Sequence, residues 1–259
     1  MDLRIKGRKA IVCASSDGLG RACAEALGRA GCELVINGRR PEKLEETAAA
    51  LRSLTGAKVT AVAADVSTPE GRTALFAACP EPDILVNNAG GPPKKDFREL
   101  THEDWARAID ANFLSAVHTI THCVDGMMAR GFGRIVNITS MTSVRPYINL
   151  DLSNATRLGL TGFVAGVSRQ VAAKGVTINN LLPGVFDTDR ARSASVGTAA
   201  KLGKSVEEVL AQRQAAIPAK RFGTADEFGA LCAFMCSAQA AYLTGQNILL
   251  DGGAYPGTF

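Results

Sequence analysis

The sequence has few aromatic and histidine side chains: its 259 residues include ten Phe, three Tyr, one Trp and three His. Its 29 Lys and Arg residues alternate with 25 Asp and Glu residues, and the net charge is only +4. Surfaces that bind nucleic acids combine clustered basic residues with interleaved aromatic residues. The sequence lacks that combination, so we expect no nucleic-acid partner.

Long hydrophobic runs are also absent, although 46% of the residues are apolar. No segment approaches the roughly 18–20 apolar residues that a membrane-spanning helix needs. Residues 1–8 are charged and lead directly into a predicted strand, which is not the pattern of a secretory signal. We expect a cytoplasmic protein without a membrane partner.

Clusters of metal ligands are missing too. His118 and His122 stand four apart on a predicted helix, without a third ligand or a His-Glu-x-x-His pattern. The seven cysteines are odd in number and lie within predicted strands and helices. Cys232 and Cys236 share a helix but have no partner cluster. We therefore expect no metal site, and buried thiols that stay reduced.

Short apolar, β-branched segments alternate with longer helical segments along the whole chain. Strands are predicted at residues 9–14, 33–37, 58–63, 84–87, 134–139, 176–182 and 246–250, and helices at 18–30, 41–54, 101–130 and 153–174. This alternation is typical of an α/β fold. We expect one Rossmann-fold domain over residues 1–259, a doubly wound, seven-stranded parallel sheet with helices on both faces.

Residues 189–217 differ from the rest because they are rich in Ala, Ser and Lys and separate the sixth and seventh strands. In an open α/β sheet, such an insertion lies above the carboxyl ends of the strands, where ligands bind. A substrate-binding segment and a mobile surface excursion both fit this composition.

A glycine-containing turn connects the first strand to the first helix. A strand followed by such a turn directs backbone N–H groups and a helix dipole toward a pyrophosphate. Gly18 permits close approach of a phosphate, and Gly20 permits tight helix packing. We expect a dinucleotide at this turn, which reads Cys13-Ala14-Ser15-Ser16-Asp17-Gly18-Leu19-Gly20.

This turn resembles the Thr-Gly-x-x-x-Gly-x-Gly fingerprint of short-chain dehydrogenases/reductases, with Ala14 in place of the first glycine. Further family motifs follow in order, over about residues 6–253. They are the adenine contact, the Asn-Asn-Ala-Gly motif, the segment near the carboxamide and the C-terminal signature. Here they read Asp65-Val66, Asn87-Asn88-Ala89-Gly90, Pro183-Gly184-Val185-Phe186-Asp187-Thr188, and Tyr242-Leu243-Thr244-Gly245-Gln246 with Asp251-Gly252-Gly253.

The end of the second strand indicates which dinucleotide is bound. An NAD site usually has an acid there, which accepts from the ribose 2′-hydroxyl. This strand instead ends Asn37-Gly38-Arg39-Arg40. Because an arginine can pair bidentately with a 2′-phosphate, we expect NADP(H) in preference to NAD(H). Solvated charges at a helix entry are the alternative for Arg39 and Arg40.

The reaction centre departs from the family pattern. The resemblance assigns Asn112 and Ser140 to the Asn and Ser of the family's catalytic tetrad. The Tyr-x-x-x-Lys register, however, reads Ser153-Asn154-Ala155-Thr156-Arg157. Residues four apart share a helix face, so Ser153 and Arg157 can still face a cofactor together. The chain resembles an atypical, 3-oxoacyl-carrier-protein reductase-like subgroup that departs from both the glycine and the catalytic motifs.

The replacement has a chemical consequence. A phenol near pKa 10 can exchange a proton with a carbonyl when a cation lies beside it. An aliphatic hydroxyl is a far weaker acid, and a guanidinium stays protonated. Arg157 can still hold the nicotinamide ribose and stabilise an alkoxide. Tyr147, in the loop before Ser153, is either a surrogate acid or a packing aromatic.

Three functions remain open at this point. The first is an NADP(H)-dependent oxidoreductase acting on a carbonyl or secondary alcohol, the second a dinucleotide-binding regulator without activity, and the third a non-redox lyase or isomerase. A small molecule is the expected substrate, and Lys94 and Lys95 could attract an anionic one. The resemblance implies a homo-oligomer, either a tetramer or a dimer.

Overall fold

The computed structural model describes residues 1–258 and contains a seven-stranded, fully parallel sheet. The strands are β1 Lys9–Val12, β2 Glu33–Gly38, β3 Val59–Ala63, β4 Ile84–Asn87, β5 Gly133–Ile138, β6 Val176–Pro183 and β7 Asn247–Leu250. Their spatial order is β3-β2-β1-β4-β5-β6-β7. All seven predicted strands are confirmed. The first ends two residues earlier than predicted, because Ala14 takes a left-handed conformation with φ +44°.

The helices are α1 Gly18–Arg29, α2 Pro41–Thr55, α3 Pro69–Ala78, α4 His102–Ile109, α5 Ser115–Ala129, α6 Asp151–Val171, α7 Asp189–Leu202, α8 Val206–Ala215 and α9 Ala225–Met235. The sequence analysis predicted no helices within residues 189–217, where the structure has α7 and α8, and it also missed α3. Its signals are local, because Thr68 caps the helix and Pro69 occupies its first turn.

The predicted helix over residues 101–130 is wrong in one respect, because it is interrupted. It consists of α4, a π-helical turn at Asp110–Leu114, and α5. A π-helical turn accommodates an extra residue and changes the direction of the side chains it carries, and such turns occur frequently at functional sites. Asn112 lies within this turn.

The two faces of the sheet pack against different helices because side chains alternate along each strand. Val12 of β1 belongs to a core cluster that includes residues of α1, α2 and α9. Its neighbour Ile11 belongs to a second cluster that includes residues of α3, α5 and α6. The expected helical layers on both faces are therefore confirmed.

Strand order reverses at β1, which pairs with β2 on one side and with β4 on the other. Such a reversal opens a crevice outside the carboxyl ends of the two strands, where α/β proteins bind ligands. The residue that precedes α7, Thr188, lies beside the turn that follows β1, since a Cβ at Gly18 would be 4.0 Å from Cγ2 of Thr188. The segment 189–217 forms α7 and α8, and it begins over this crevice.

Candidate active site

The turn after β1 is shaped by close backbone contacts. The carboxylate of Asp17 caps α1 by accepting a hydrogen bond from the Gly18 amide at 2.8 Å. Gly18 has φ +53°, a conformation that favours glycine. A Cβ at Gly20 would lie 2.8 Å from Nδ2 of Asn88 and closer still to the backbone oxygen of Ala14. Glycine at position 20 therefore allows α1 to pack closely against the backbone of Ala14 and the side chain of Asn88.

Asn88 joins the ends of β1 and β4, because its Nδ2 donates to the backbone oxygen of Ala14 at 3.0 Å. Ser15 is fully buried, and its hydroxyl donates to the backbone oxygen of Val12 at 2.7 Å. Both contacts hold the turn in place. Ser16 and Leu19 are half-buried, so the turn presents partly exposed backbone toward the crevice.

At the end of β2, Arg39 and Arg40 are exposed, and Arg39 lies 3.8 Å from the carboxylate of Asp65. Asp65 follows β3 and accepts hydrogen bonds from the backbone amide and the hydroxyl of Ser67 at 2.9 and 2.7 Å. Burial alone would raise the pKa of Asp65, but the hydrogen bonds from Ser67 and the Arg39 charge outweigh it, so the pKa is lowered. Asp65 is therefore ionised at neutral pH.

The other end of the crevice contains Asn112, Ser140 and Ser153. Asn112 is 3% exposed, and its Oδ1 has no hydrogen-bond partner within residues 1–258. The hydroxyl of Ser140 accepts from the Thr142 amide at 3.1 Å. The hydroxyl of Ser153 lies 3.2 Å from that of Thr142, and both side chains are buried. Thr142 is a contact that the sequence analysis missed, because its role depends on how the loop after β5 folds back onto α6.

Arg157 is buried between the ends of β4 and β5. Its Nη1 donates to the backbone oxygen of Ile138 at 2.8 Å, and its Nη2 donates to that of Ala89 at 3.3 Å. Its Nε is buried without a partner in the described chain. Burial, and to a smaller extent the nearby charge of Arg190, lower the pKa of Arg157 from 12.5 to about 10. The side chain remains a cation at neutral pH.

Arg157 and Asn112 line one small cavity together with Asn88 and Ala89. The structure thus brings the Asn-Asn-Ala-Gly motif, the π-helical turn and α6 together. Two of these lining residues carry a buried polar atom without a partner in residues 1–258, the donor Nε of Arg157 and the acceptor Oδ1 of Asn112. Buried polar groups without partners are rare in proteins, so these atoms indicate a place for a ligand or an ordered water.

Tyr147 does not share a hydrogen bond with Ser140 or Ser153. Its hydroxyl donates to Sδ of Met141 at 3.4 Å, and its backbone oxygen accepts from Nδ2 of Asn154 at 3.0 Å. The guanidinium of Arg145 stacks on its ring at 5.6 Å. These contacts place Tyr147 in a packed loop next to the reaction centre.

The segment after β6 closes the far side of the crevice. Gly184 donates its amide to the backbone oxygen of Leu250 at 2.8 Å, and a Cβ there would lie 2.8 Å from Asp251. Close packing against β7 therefore requires glycine. Pro183, Val185 and Thr188 are half-buried along the same segment.

Arg190, two residues after Thr188, is a further contact that the sequence analysis missed. A Cβ at Gly91 would lie 3.0 Å from Cζ of Arg190, so the two residues are in contact.

Lys95, a candidate for attracting an anionic substrate, forms an ion pair, since its ammonium lies 2.9 Å from the carboxylate of Asp104. His122 stacks on Phe76 at 3.7 Å. Within residues 1–258, no three His, Cys, Asp or Glu side chains are grouped to hold a metal ion.

Comparison with known proteins agrees with this geometry. A family model described as enoyl-(acyl carrier protein) reductase matches residues 13–255, which include both ends of the crevice. The chain belongs to the short-chain dehydrogenase/reductase family.

Two relatives show where the chain stands among short-chain dehydrogenases/reductases. It is 32% identical to acetoacetyl-CoA reductase of Cupriavidus necator, over 96% of this chain and 99% of that protein. It is 29% identical to the 3-oxoacyl-(acyl-carrier-protein) reductase of Aquifex aeolicus, over 98% and 100%. The predicted resemblance to 3-oxoacyl-carrier-protein reductases is confirmed.

A solved structure of a short-chain dehydrogenase/reductase shows the same fold. L-sorbose reductase from Gluconobacter frateurii, complexed with NADPH and L-sorbose, matches with a TM-score of 0.94 and 30% identity. The match covers 99% of this chain and all of that one. Within residues 1–258, no helix has the length and apolar character needed to cross a membrane.

Proposed function

We propose that this protein is an NADP(H)-dependent oxidoreductase that transfers hydride between nicotinamide and a carbonyl or secondary alcohol. Its centre is formed by Asn112, Ser140, Ser153 and Arg157. The observation that carries the proposal is the crevice between the ends of β1 and β4, where unpartnered buried donor and acceptor atoms lie at one end. The relative that binds NADPH shares this fold.

The residues fit a dinucleotide along the whole crevice. The backbone amides at the start of α1 donate hydrogen bonds to a pyrophosphate, with Gly18 permitting its close approach. Arg39 and Arg40, with no acid beside them on β2, favour a 2′-phosphate. The other cofactor residues follow the motifs. The pyrophosphate turn includes Ser15, Ser16, Asp17, Gly18 and Leu19, and the adenine contact is Asp65 and Val66. The nicotinamide side is assigned to Asn88, Ala89, Gly90, Pro183, Gly184, Val185 and Thr188.

Arg157 has donors left for the ribose. A guanidinium carries five N–H donors, and two of the Arg157 donors are used by the Ile138 and Ala89 oxygens. The remaining donors, Nε–H among them, can bind hydroxyl groups of the ribose. The permanent charge also stabilises an alkoxide that develops nearby. Bound nicotinamide supplies the hydride acceptor or donor, and Arg157 fixes its position.

Ser140 and Ser153 hold the substrate oxygen by hydrogen bonds, and Asn112 holds a water through its unpartnered Oδ1. Neither Ser153 nor Arg157 relays a proton well, because an aliphatic hydroxyl is a weak acid and the guanidinium stays charged. A general acid contributes about 10²–10⁴-fold to the rate. We therefore propose slow turnover, with water or Tyr147 supplying the proton.

The test combines binding with turnover. NADPH and NADH are titrated by fluorescence, and a panel of carbonyl compounds is followed by NADPH absorbance. Tight NADPH binding with absorbance loss supports the proposal. Binding without any turnover favours a regulator, and turnover of a substrate without absorbance change favours a lyase or isomerase. Tighter binding of NADH contradicts the NADP(H) preference, and no affinity for either contradicts the cofactor assignment.

We further propose a homo-oligomer in the cytoplasm. Ile109 of α4 and Leu158 of α6 expose apolar side chains, and so does Tyr242 before β7. All seven cysteines are free and buried, which suits a reducing compartment. Light scattering distinguishes a tetramer or dimer from a monomer.

A further inference from the structure

Two arginine side chains flank the same short segment after β4. Nη2 of Arg157 donates to the backbone oxygen of Ala89 at 3.3 Å. The guanidinium of Arg190 lies against Gly91, with Cζ 3.0 Å from where a Cβ would stand. The two guanidiniums therefore contact Ala89 and Gly91, which are two residues apart, at the reaction end of the crevice. Any side chain at Gly91 would displace Arg190.

The guanidinium of Arg190 has no hydrogen-bond or ion-pair partner within residues 1–258. Neither Asp187 nor Asp189 pairs with it. The other two arginines of α7 and α8 are engaged. Arg192 lies 3.1 Å from the carboxylate of Glu207, and Arg213 donates to the hydroxyl of Ser195 at 2.7 Å.

Arg157 has no carboxylate partner either. Its guanidinium contacts only backbone oxygens, it is 6% exposed, and its Nε is unpartnered. A buried charge without a counter-ion is costly, and a second positive charge beside it increases that cost. An anion placed between the two guanidiniums would offset both effects.

We propose that the substrate carries a carboxylate and that Arg190 binds it, next to the carbonyl held by Ser140 and Ser153. This inference rests on the proposed oxidoreductase function, whose substrate class it defines. A planar guanidinium matches a carboxylate bidentately, and none of the five N–H donors of Arg190 is occupied by the described chain.

The pyrophosphate of the dinucleotide is the competing anion, but the geometry favours the substrate. The pyrophosphate site is the turn at Gly18, where Thr188 is the contact from the α7 side. Arg190 points instead to Gly91, beyond the Asn-Asn-Ala-Gly motif and on the side of Arg157. The cation is therefore placed at the substrate end of the crevice.

The test compares acids with their methyl esters. Pyruvate, acetoacetate and levulinate separate the carbonyl from the carboxylate by different numbers of methylene groups. Each acid and its ester are titrated calorimetrically into the NADPH-loaded protein. We expect at least one acid to bind about tenfold more tightly than its ester, because one charge-assisted hydrogen-bonded pair changes affinity by about that factor. In Arg190→Gln this preference should fall below about threefold while NADPH affinity is kept.

Arg192→Gln is the matched control, because it removes one positive charge from the same helix at a side chain that pairs with Glu207. In Arg192→Gln, the acid should still bind more tightly than its ester. No preference for any acid in the wild type, including no binding at all, overturns the proposal. An unchanged preference in Arg190→Gln also overturns it, and so does weakened NADPH binding with that preference kept, which would assign Arg190 to the pyrophosphate.

The same titration separates this inference from the proposed function. If NADPH binds and acids are preferred but no carbonyl is reduced, the carboxylate site holds and the oxidoreductase function fails. If carbonyls are reduced with equal affinity for acids and esters, the function holds and the carboxylate site fails. If NADPH does not bind, the titration of the protein alone still decides whether Arg190 binds acids.

Discussion

The hydroxyl of Ser153 lies 3.2 Å from that of Thr142, and both are buried. This contact fixes the Ser153 hydroxyl relative to the loop after β5, on which Ser140 also lies. A serine so placed can orient a substrate oxygen even though it is a poor proton donor. The proposed role of Ser153 is therefore to position a substrate oxygen and not to supply a proton.

Ser153→Ala should lower kcat by about tenfold, because one hydrogen bond to the reacting oxygen is lost. NADPH affinity should change by less than about threefold, since the cofactor contacts are elsewhere. Steady-state kinetics and a fluorescence titration measure both. Thr156→Val is the control, because it removes a hydroxyl of the same helix that bonds only the Leu152 oxygen at 2.7 Å. An unchanged kcat in Ser153→Ala would exclude Ser153 from the reaction.

Arg157→Met should weaken NADPH binding by about tenfold or more, because it removes the charge and the donors for the ribose. The variant also loses hydrogen bonds to Ile138 and Ala89, so thermal unfolding must be measured alongside. Arg157→Lys keeps the charge and should retain more of the affinity. Equal binding by the wild type and a folded Arg157→Met protein would contradict the cofactor assignment.

Arg39→Gln combined with Arg40→Gln should reduce affinity for NADPH by about 10–100-fold, since charge-assisted bonds to the 2′-phosphate are lost. Affinity for NADH should stay nearly constant, because it lacks that phosphate. Titration of both dinucleotides gives the ratio. Arg29→Gln, at an exposed residue paired with Glu25, is the control. A parallel loss for both dinucleotides would show a nonspecific charge effect.

Ala14→Gly should stabilise the protein by about 0.5–1 kcal/mol. Ala14 has φ +44°, and a non-glycine residue in this region costs about 1–2 kcal/mol, partly offset by the greater freedom of glycine in the unfolded chain. Urea unfolding measures the change. Ala24→Gly, inside α1, should destabilise instead. A lower midpoint for Ala14→Gly would mean that the Ala14 methyl has favourable contacts that outweigh the strain.

Tyr147→Phe should leave kcat within about threefold of the wild type, because the hydroxyl contacts only Sδ of Met141, a weak acceptor. A pH profile of kcat/KM accompanies the measurement. A loss of about 100-fold, with the disappearance of a basic limb from the profile, would instead identify Tyr147 as the proton donor.

Patterns in the sequence predict the strands, the glycine turn and the spacing that puts Ser153 and Arg157 on one helix face. These are local features, because strand patterns, a Gly-containing turn and an i, i+4 spacing depend on residues close together in the chain. Helix α3 was not predicted, although its N-cap Thr68 and the first-turn Pro69 are local signals of the same kind. For the same reason the sequence placed Arg39 and Arg40 at the end of β2.

The contacts on which the proposed chemistry depends follow from the tertiary structure. Arg39 contacts Asp65, Ser153 contacts Thr142 and Arg190 contacts Gly91, and in each pair the two residues belong to different segments of the fold. The π-helical turn that carries Asn112 was likewise not predicted, because the helical pattern of residues 101–130 was interpreted as one helix. Such contacts depend on how folded segments close onto one another, which no local pattern encodes.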